Sequence, residues 1–201
     1  MIVSYYLAPR KTTRIKTYMK KLGVVHGRFQ VLHNDHMKYI LAAKRRCDQI
    51  VIGITNPDPS LTGSDETNPE RSLTSSNPLT YFERYTLVKS AMAEAGLGYL
   101  EFGITPFPIN FPNLYRFYVP TEAVFYITIY DDWGRRKLKL LTDAGLKTEL
   151  LWDKPPDQKG LSGSYVRGLI QSGGQWERLV PESVALLIRE WDIQSRLKEL
   201  S

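Results

Sequence analysis

Two short blocks of this sequence hold residue types suited to handling phosphate. The first, Gly27-Arg28-Phe29-Gln30-Val31-Leu32-His33-Asn34-Asp35-His36, follows an apolar run and precedes a helical pattern. His33 and His36 stand three residues apart, so both can face one anion from the first turn of a helix. Imidazole donates hydrogen bonds to phosphoryl oxygens and gains charge readily beside them. Gly27 permits close backbone approach, and the amides of a helix start are free to meet a phosphate. An isolated H-x-x-H pair reads more readily as surface or capping residues; its place between a strand and a helix gives it weight. A zinc pair on a helix takes i, i+4 spacing with a nearby carboxylate base, and this pair is one residue short, so no protein-held metal is expected.

The second block is Leu161-Ser162-Gly163-Ser164-Tyr165-Val166-Arg167. Ser162, Gly163 and Ser164 open a helix whose free amides and hydroxyls can hold outer phosphates, and Arg167 one turn later adds a fixed positive charge. Taken alone, the block is a helix cap followed by a surface arginine. Paired with the first block in this chain order, it gains weight as a second phosphate contact.

The elements that must position them alternate between short apolar runs and helix-length amphipathic stretches, the pattern of parallel strands joined by crossover helices. Strands are expected at Leu22 to His26, Ile50 to Ile54, Tyr99 to Ile104, Ala123 to Ile129 and Thr148 to Trp152. Helices are expected over residues 36 to 47, from the capping box Thr80/Glu83 onward, over Asp132 to Ala144, over Ser164 to Gln171 and over Pro181 to Trp191. In the second of these, Phe82, Tyr85, Val88, Met92 and Ala95 form the expected apolar stripe, with Gly96 and Gly98 as the stop. Residues 56 to 77 read as a long polar loop, a candidate lid, and the stretch Phe107 to Tyr115 as irregular. The fold class is α/β: a Rossmann-like, doubly wound parallel sheet of five strands with C-terminal helices, placing both blocks at the carboxyl edge of the sheet.

Composition agrees with one ordinary domain of 201 residues, 42% apolar and 24% charged. No apolar run reaches the roughly 20 residues of a spanning helix, so no membrane partner is expected. The lone Cys47 excludes an internal disulfide framework and favours a reducing, cytoplasmic setting. Arg10, Lys11, Arg14 and Lys16 carry four of the net +6 charges, so the rest of the chain is close to balanced and nucleic acid is not the expected partner. Residues 1 to 18 read as a disordered tail or as an extension upstream of a start at Met19, leaving residues 19 to 201 as the domain.

With these residues in view, the chain resembles the nucleotidyltransferase superfamily, and within it the archaeal-type nicotinamide mononucleotide adenylyltransferases. Their first signature, G-R-F-Q-P-x-H-x-G-H, stands here as Gly27 to His36, with Val31 for the proline and Asp35 for the second glycine. Their I-S-G-T-E-I-R is similar to Leu161 to Arg167. Asn77-Pro78-Leu79-Thr80-Tyr81-Phe82-Glu83-Arg84 is similar to N-P-F-T-x-x-E-R, a stretch read as helix capping and packing. The basic residue that tends to precede it is Ser76 here, with Arg71 as a substitute phosphate contact.

The resemblance implies transfer of AMP from ATP to the phosphate of nicotinamide or nicotinate mononucleotide, with release of pyrophosphate, in NAD biosynthesis. His33, His36 and Arg167 would be catalytic, and Gly27, Arg28, Phe29, Ser162, Gly163 and Ser164 would bind ATP. Mg2+ would be carried mainly by ATP. Asp35 beside a triphosphate is a liability unless it turns outward or assists that ion. Where the family has Y-S-G-N against its acceptor nucleotide, this chain has Ile127-Thr128-Ile129-Tyr130-Asp131-Asp132-Trp133. Asn113, Tyr115 and Trp133 are the acceptor candidates, the two aromatics as stacking faces. The same motifs serve CTP-using relatives and other phosphorylated acceptors such as phosphopantetheine, and a regulator that binds nucleotide without turnover is the reading from another class. The oligomeric state, including a homo-oligomer, stays open.

Overall fold

The computed structural model describes residues 21–62 and 73–200. The tail of residues 1 to 18, Arg71 and the middle of the 56 to 77 loop lie outside these described residues. Five strands, β1 (Leu22–Gly27), β2 (Gln49–Thr55), β3 (Phe102–Phe107), β4 (Val124–Ile129) and β5 (Lys147–Asp153), form one parallel sheet in the order β3-β2-β1-β4-β5. Among the described residues six α-helices accompany it: α1 (Asn34–Lys44), α2 (Tyr81–Glu94), α3 (Asp132–Asp143), α4 (Gly163–Ser172), α5 (Glu182–Glu190) and α6 (Ile193–Glu199). This is the Rossmann-like α/β arrangement expected from the alternation of patterns, with the chain reversing direction across the sheet between β1 and β4. None of the described helices is long and apolar enough to cross a membrane.

Two apolar layers sandwich the sheet. On one side Val25, Ile50 and Ile52 pack with Ile40 of α1, Leu87 and Val88 of α2, Val166 and Ile170 of α4 and Val184 of α5. On the other, Val24, Phe125 and Ile127 pack with Leu141 of α3 and with Ile109, Tyr115 and Val119 from the β3–β4 connection.

Three expectations change. The buried face of α2 is Arg84, Leu87, Val88, Ala91 and Met92, whereas Phe82 is 73% exposed and Ala95 is exposed. The stripe is rotated because an arginine takes a core position, filling the place a sequence reading gives to an apolar side chain. β3 begins at Phe102, leaving Tyr99 and Leu100 exposed in a turn, and it runs on through Pro106. An edge strand tolerates this proline, since β3 pairs with β2 alone and needs no amide on its free side. α6 was not foreseen; it starts at Asp192, whose φ of 46° turns the chain sharply after α5.

Candidate active site

The strands on either side of the reversal part company toward their carboxyl ends. β1 and β4 pair only at Gly23↔Val124 and Val24↔Phe125. Beyond that point the Tyr39 hydroxyl of α1 stands between them. It donates to the Tyr126 carbonyl at 2.6 Å and accepts from the His26 amide at 3.4 Å, replacing ladder bonds the two strands no longer make to each other. The opening so created is the mouth of a cavity of about 710 Å³, bounded by the β1–α1 turn, the β4–α3 turn and the start of α4.

The first block lies along one wall. Phe29 adopts a positive φ of 53° and turns its ring back into the core, where it occupies the space a Gly27 side chain would need. Gly27 therefore serves the Phe29 ring, and the backbone around both residues faces the cavity. The His33 and His36 rings stack at 3.7 Å between centroids, with Phe29 edge-on to His36. The His33 amide donates to His36 Nδ1 at 3.3 Å. With Nδ1 occupied as an acceptor, neutral His36 carries its proton on Nε2, ready to donate. Burial holds His33 down at about 4, and desolvation together with the charges of His33, Arg28 and Lys137 lowers His36 well below its ordinary value. Both rings are neutral donors at pH 7 until an anion arrives.

Behind this wall, polar side chains knit the loops together. Gln30 exchanges two hydrogen bonds of 2.9 Å with the Leu79 backbone, which ties the N-P-L-T stretch to the first block. Arg84, only 2% exposed, donates to the carbonyls of Thr80, Arg28, Thr55, Asn56 and Pro57. Burial lowers this guanidinium to about 10, against the smaller opposing influence of Tyr81 and Glu83. It holds the carboxyl-end loops of β1 and β2 in register, which agrees with reading that stretch as packing.

The second block closes the opposite wall. The Ser162 hydroxyl caps α4 by accepting from the Tyr165 amide at 3.2 Å and lies 3.0 Å from the Ser164 hydroxyl. Gly163 approaches the Gln30 carbonyl so closely that a side chain there would sit 2.6 Å from its oxygen, so no other residue fits without moving a backbone. Arg167 points into the seam between the two blocks. Its guanidinium is 9% exposed and donates to the Gln30 carbonyl, so it braces the two blocks against each other and does not line the cavity.

Asp35, on the cavity rim, is held by two partners. One carboxylate oxygen accepts from Lys38 at 2.6 Å and the other from the Leu161 amide at 2.7 Å, and these contacts lower its pKa against the cost of partial burial. Its charge is spent on a lysine and on the loop that leads into α4.

Among the acceptor candidates, Trp133 lines the cavity beside Thr128, Tyr130 and Lys137. Tyr115 does not. It is 2% exposed, donates to the Ile109 carbonyl and packs at 4.7 Å against Phe107, because the irregular stretch folds onto the far core. Asn113 is exposed on the same stretch, away from the cavity. Sequence reasoning missed His26, Tyr39, Lys137 and Trp152. Tyr39 lies on the amphipathic pattern of α1 and reads as packing, and His26 closes an apolar run that reads as a buried strand. Among the described residues no cluster of three or more His, Cys, Asp or Glu could hold a metal.

The cytidylyltransferase-like family profile matches residues 24–169. A phosphonoformate cytidylyltransferase of Streptomyces viridochromogenes is 46% identical over 176 residues, covering 88% of this chain and 95% of that protein. Nicotinamide-nucleotide adenylyltransferases of Saccharolobus solfataricus and Thermococcus kodakarensis are 28% and 31% identical, covering 89% and 91% of this chain and 95% and 90% of theirs. Among solved structures, a bifunctional NMN adenylyltransferase/ADP ribose pyrophosphatase from Francisella tularensis superposes with a TM-score of 0.60 at 15% identity. That match covers 90% of this chain and 52% of the other, so this chain spans about half of its length.

Proposed function

Since the chain belongs to the cytidylyltransferase-like family of nucleotidyltransferases, we propose that it transfers CMP from CTP to a small phosphonate acid of the phosphonoformate type, releasing pyrophosphate. The observation that carries this choice of substrates is the 46% identity to a phosphonoformate cytidylyltransferase along nearly its full length, against 28% and 31% for the nicotinamide-nucleotide enzymes. The altered acceptor segment, Ile127 to Trp133, supports it, since the Y-S-G-N of the nicotinamide-nucleotide group is absent.

In this reading an anionic oxygen of the acceptor attacks the α-phosphorus, a new P–O bond forms there, and the bond to the β-phosphate breaks. The nucleophile is already charged, so no base is required and positioning and charge neutralisation carry the rate. His36 Nε2–H and His33 would donate to the phosphoryl oxygens, Arg28 would offset their charge, and Ser162, Ser164 and the amides of α4 would receive the departing pyrophosphate. Magnesium, when bound, would supply further neutralisation of the triphosphate; it would be held chiefly by phosphate and water, since Asp35 is committed to Lys38 and Leu161.

Adenylyl transfer to nicotinamide mononucleotide is the second reading, favoured by the match of both motifs. Purified protein given CTP or ATP with phosphonoformate, nicotinamide mononucleotide or phosphopantetheine separates the two when pyrophosphate and product mass are read. The expected result is turnover of CTP with phosphonoformate at a kcat/KM at least about tenfold above any other pair. Turnover confined to ATP with nicotinamide mononucleotide overturns the proposal, and nucleotide binding with no pyrophosphate release favours the regulator.

A further inference from the structure

His26 lines the cavity wall outside the two motifs. It stands at the end of β1, 6% exposed, and neither ring nitrogen has a hydrogen-bond partner. A buried imidazole with no partner forgoes two hydrogen bonds that water would have given it. Its ring packs at 5.7 Å against Phe107, and the residue lines the cavity where Tyr39 holds β1 and β4 apart. Burial and the charge of Lys137 keep the ring neutral, so it can donate from one nitrogen without the cost of a second cation. Lys137 of α3 lines the same cavity, and its charge helps to lower both His26 and His36.

We propose that His26 and Lys137 form an anion subsite that holds the acid group of the acceptor, beside the phosphate-handling pair His33 and His36. The inference rests on the nucleotidyltransferase reading above and adds to it the residues that select the acceptor. The ligand that fits is a compact molecule with two acidic groups close together, one presented to the α-phosphorus and the other to His26 and Lys137. A carboxylate bonded directly to a phosphonate has this form. An acceptor whose phosphate is attached to a neutral ribose would leave the His26 ring without its anion, so the subsite disfavours a mononucleotide.

The test compares wild type with His26→Leu, His26→Asn and Lys137→Met, measuring KM for phosphonoformate and for CTP, with calorimetric titration of phosphonoformate, phosphonoacetate and inorganic phosphate in the presence of CTP. His26→Leu and Lys137→Met are expected to raise the phosphonoformate KM by about tenfold or more, leave the CTP KM within about twofold, and His26→Asn, which keeps a donor, to lose less. A phosphonoformate KM unchanged in a folded His26→Leu protein, or a CTP KM that rises in parallel, overturns the subsite. Should His26→Leu fail to fold, Lys137→Met decides by the same two constants. His26-dependent binding of phosphonoformate by a wild type that does not turn it over supports the subsite and overturns only the reaction; a wild type that binds none of the three acids overturns the subsite.

Discussion

Asp35 shows how far a single position can mislead until its partners are known. As a residue type beside a triphosphate it repels; in place it accepts from Lys38 and from the Leu161 amide and thereby sets the approach of the loop that presents Ser162 and Ser164. Replacing it with the glycine of the family signature removes a charge-assisted hydrogen bond to that amide. Asp35→Gly is therefore expected to lower kcat/KM for the nucleoside triphosphate by about tenfold, since hydrogen bonds to charged groups contribute roughly 1.5–3 kcal/mol. Asp35→Asn keeps an acceptor oxygen and should lose less. A gain of activity in Asp35→Gly, measured as pyrophosphate release at subsaturating CTP, would restore the view of Asp35 as a liability. Arg167 teaches the same lesson in reverse, because its guanidinium donates to the Gln30 carbonyl and links the two motifs.

At the level of elements, the site exists because β1 and β4 diverge, and Tyr39 is the wedge. Its hydroxyl serves the Tyr126 carbonyl and the His26 amide at once, and burial pushes its own ionisation far above the usual phenol range, so it acts as a fixed neutral bridge. Tyr39→Phe leaves two strand groups without partners in a part-buried setting, at a cost of about 1–3 kcal/mol for an unsatisfied group. The expected outcome is a lower denaturation midpoint together with weaker acceptor binding, as His26 loses its anchor. Full stability and unchanged acceptor KM would mean that the strands stay apart without it. None of this was legible in the sequence, where Tyr39 lies on an amphipathic pattern that any packed tyrosine satisfies. What was legible is local: strand and helix periods, the Thr80 cap and the two phosphate motifs each announce themselves within a few residues. What was not legible depends on distant partners, as with Arg84 taking a core position on α2 or Tyr115 folding onto Phe107.

At the scale of the whole molecule, three buried imidazoles make stability depend on pH. His26 and His36 are lowered well below the ordinary histidine value and His33 to about 4, burial or desolvation being the largest cause in each. In the unfolded chain these rings take a proton near 6.5. A depressed folded-state value means the unfolded state binds protons first, so the stability these rings allow is fully present above about pH 6.5 and is lost as pH falls toward 4. For His33 alone the difference amounts to on the order of 3 kcal/mol. The carboxylates of Asp35, Glu83 and Asp131 are lowered as well, and their contribution is lost as pH falls below their ordinary range near pH 4, so the fall between about pH 6.5 and 5 belongs to the histidines. Denaturant unfolding of the apoprotein at intervals from pH 7.5 to about 5 should therefore show stability falling through the upper part of the histidine window, above the ordinary carboxylate range. A nucleoside triphosphate gives the rings an anion to meet and should flatten that fall when the series is repeated with CTP present. Stability that holds level to pH 5 in the apoprotein would mean that the rings are hydrated and already free to charge, and the picture of a pocket of neutral donors would have to be given up.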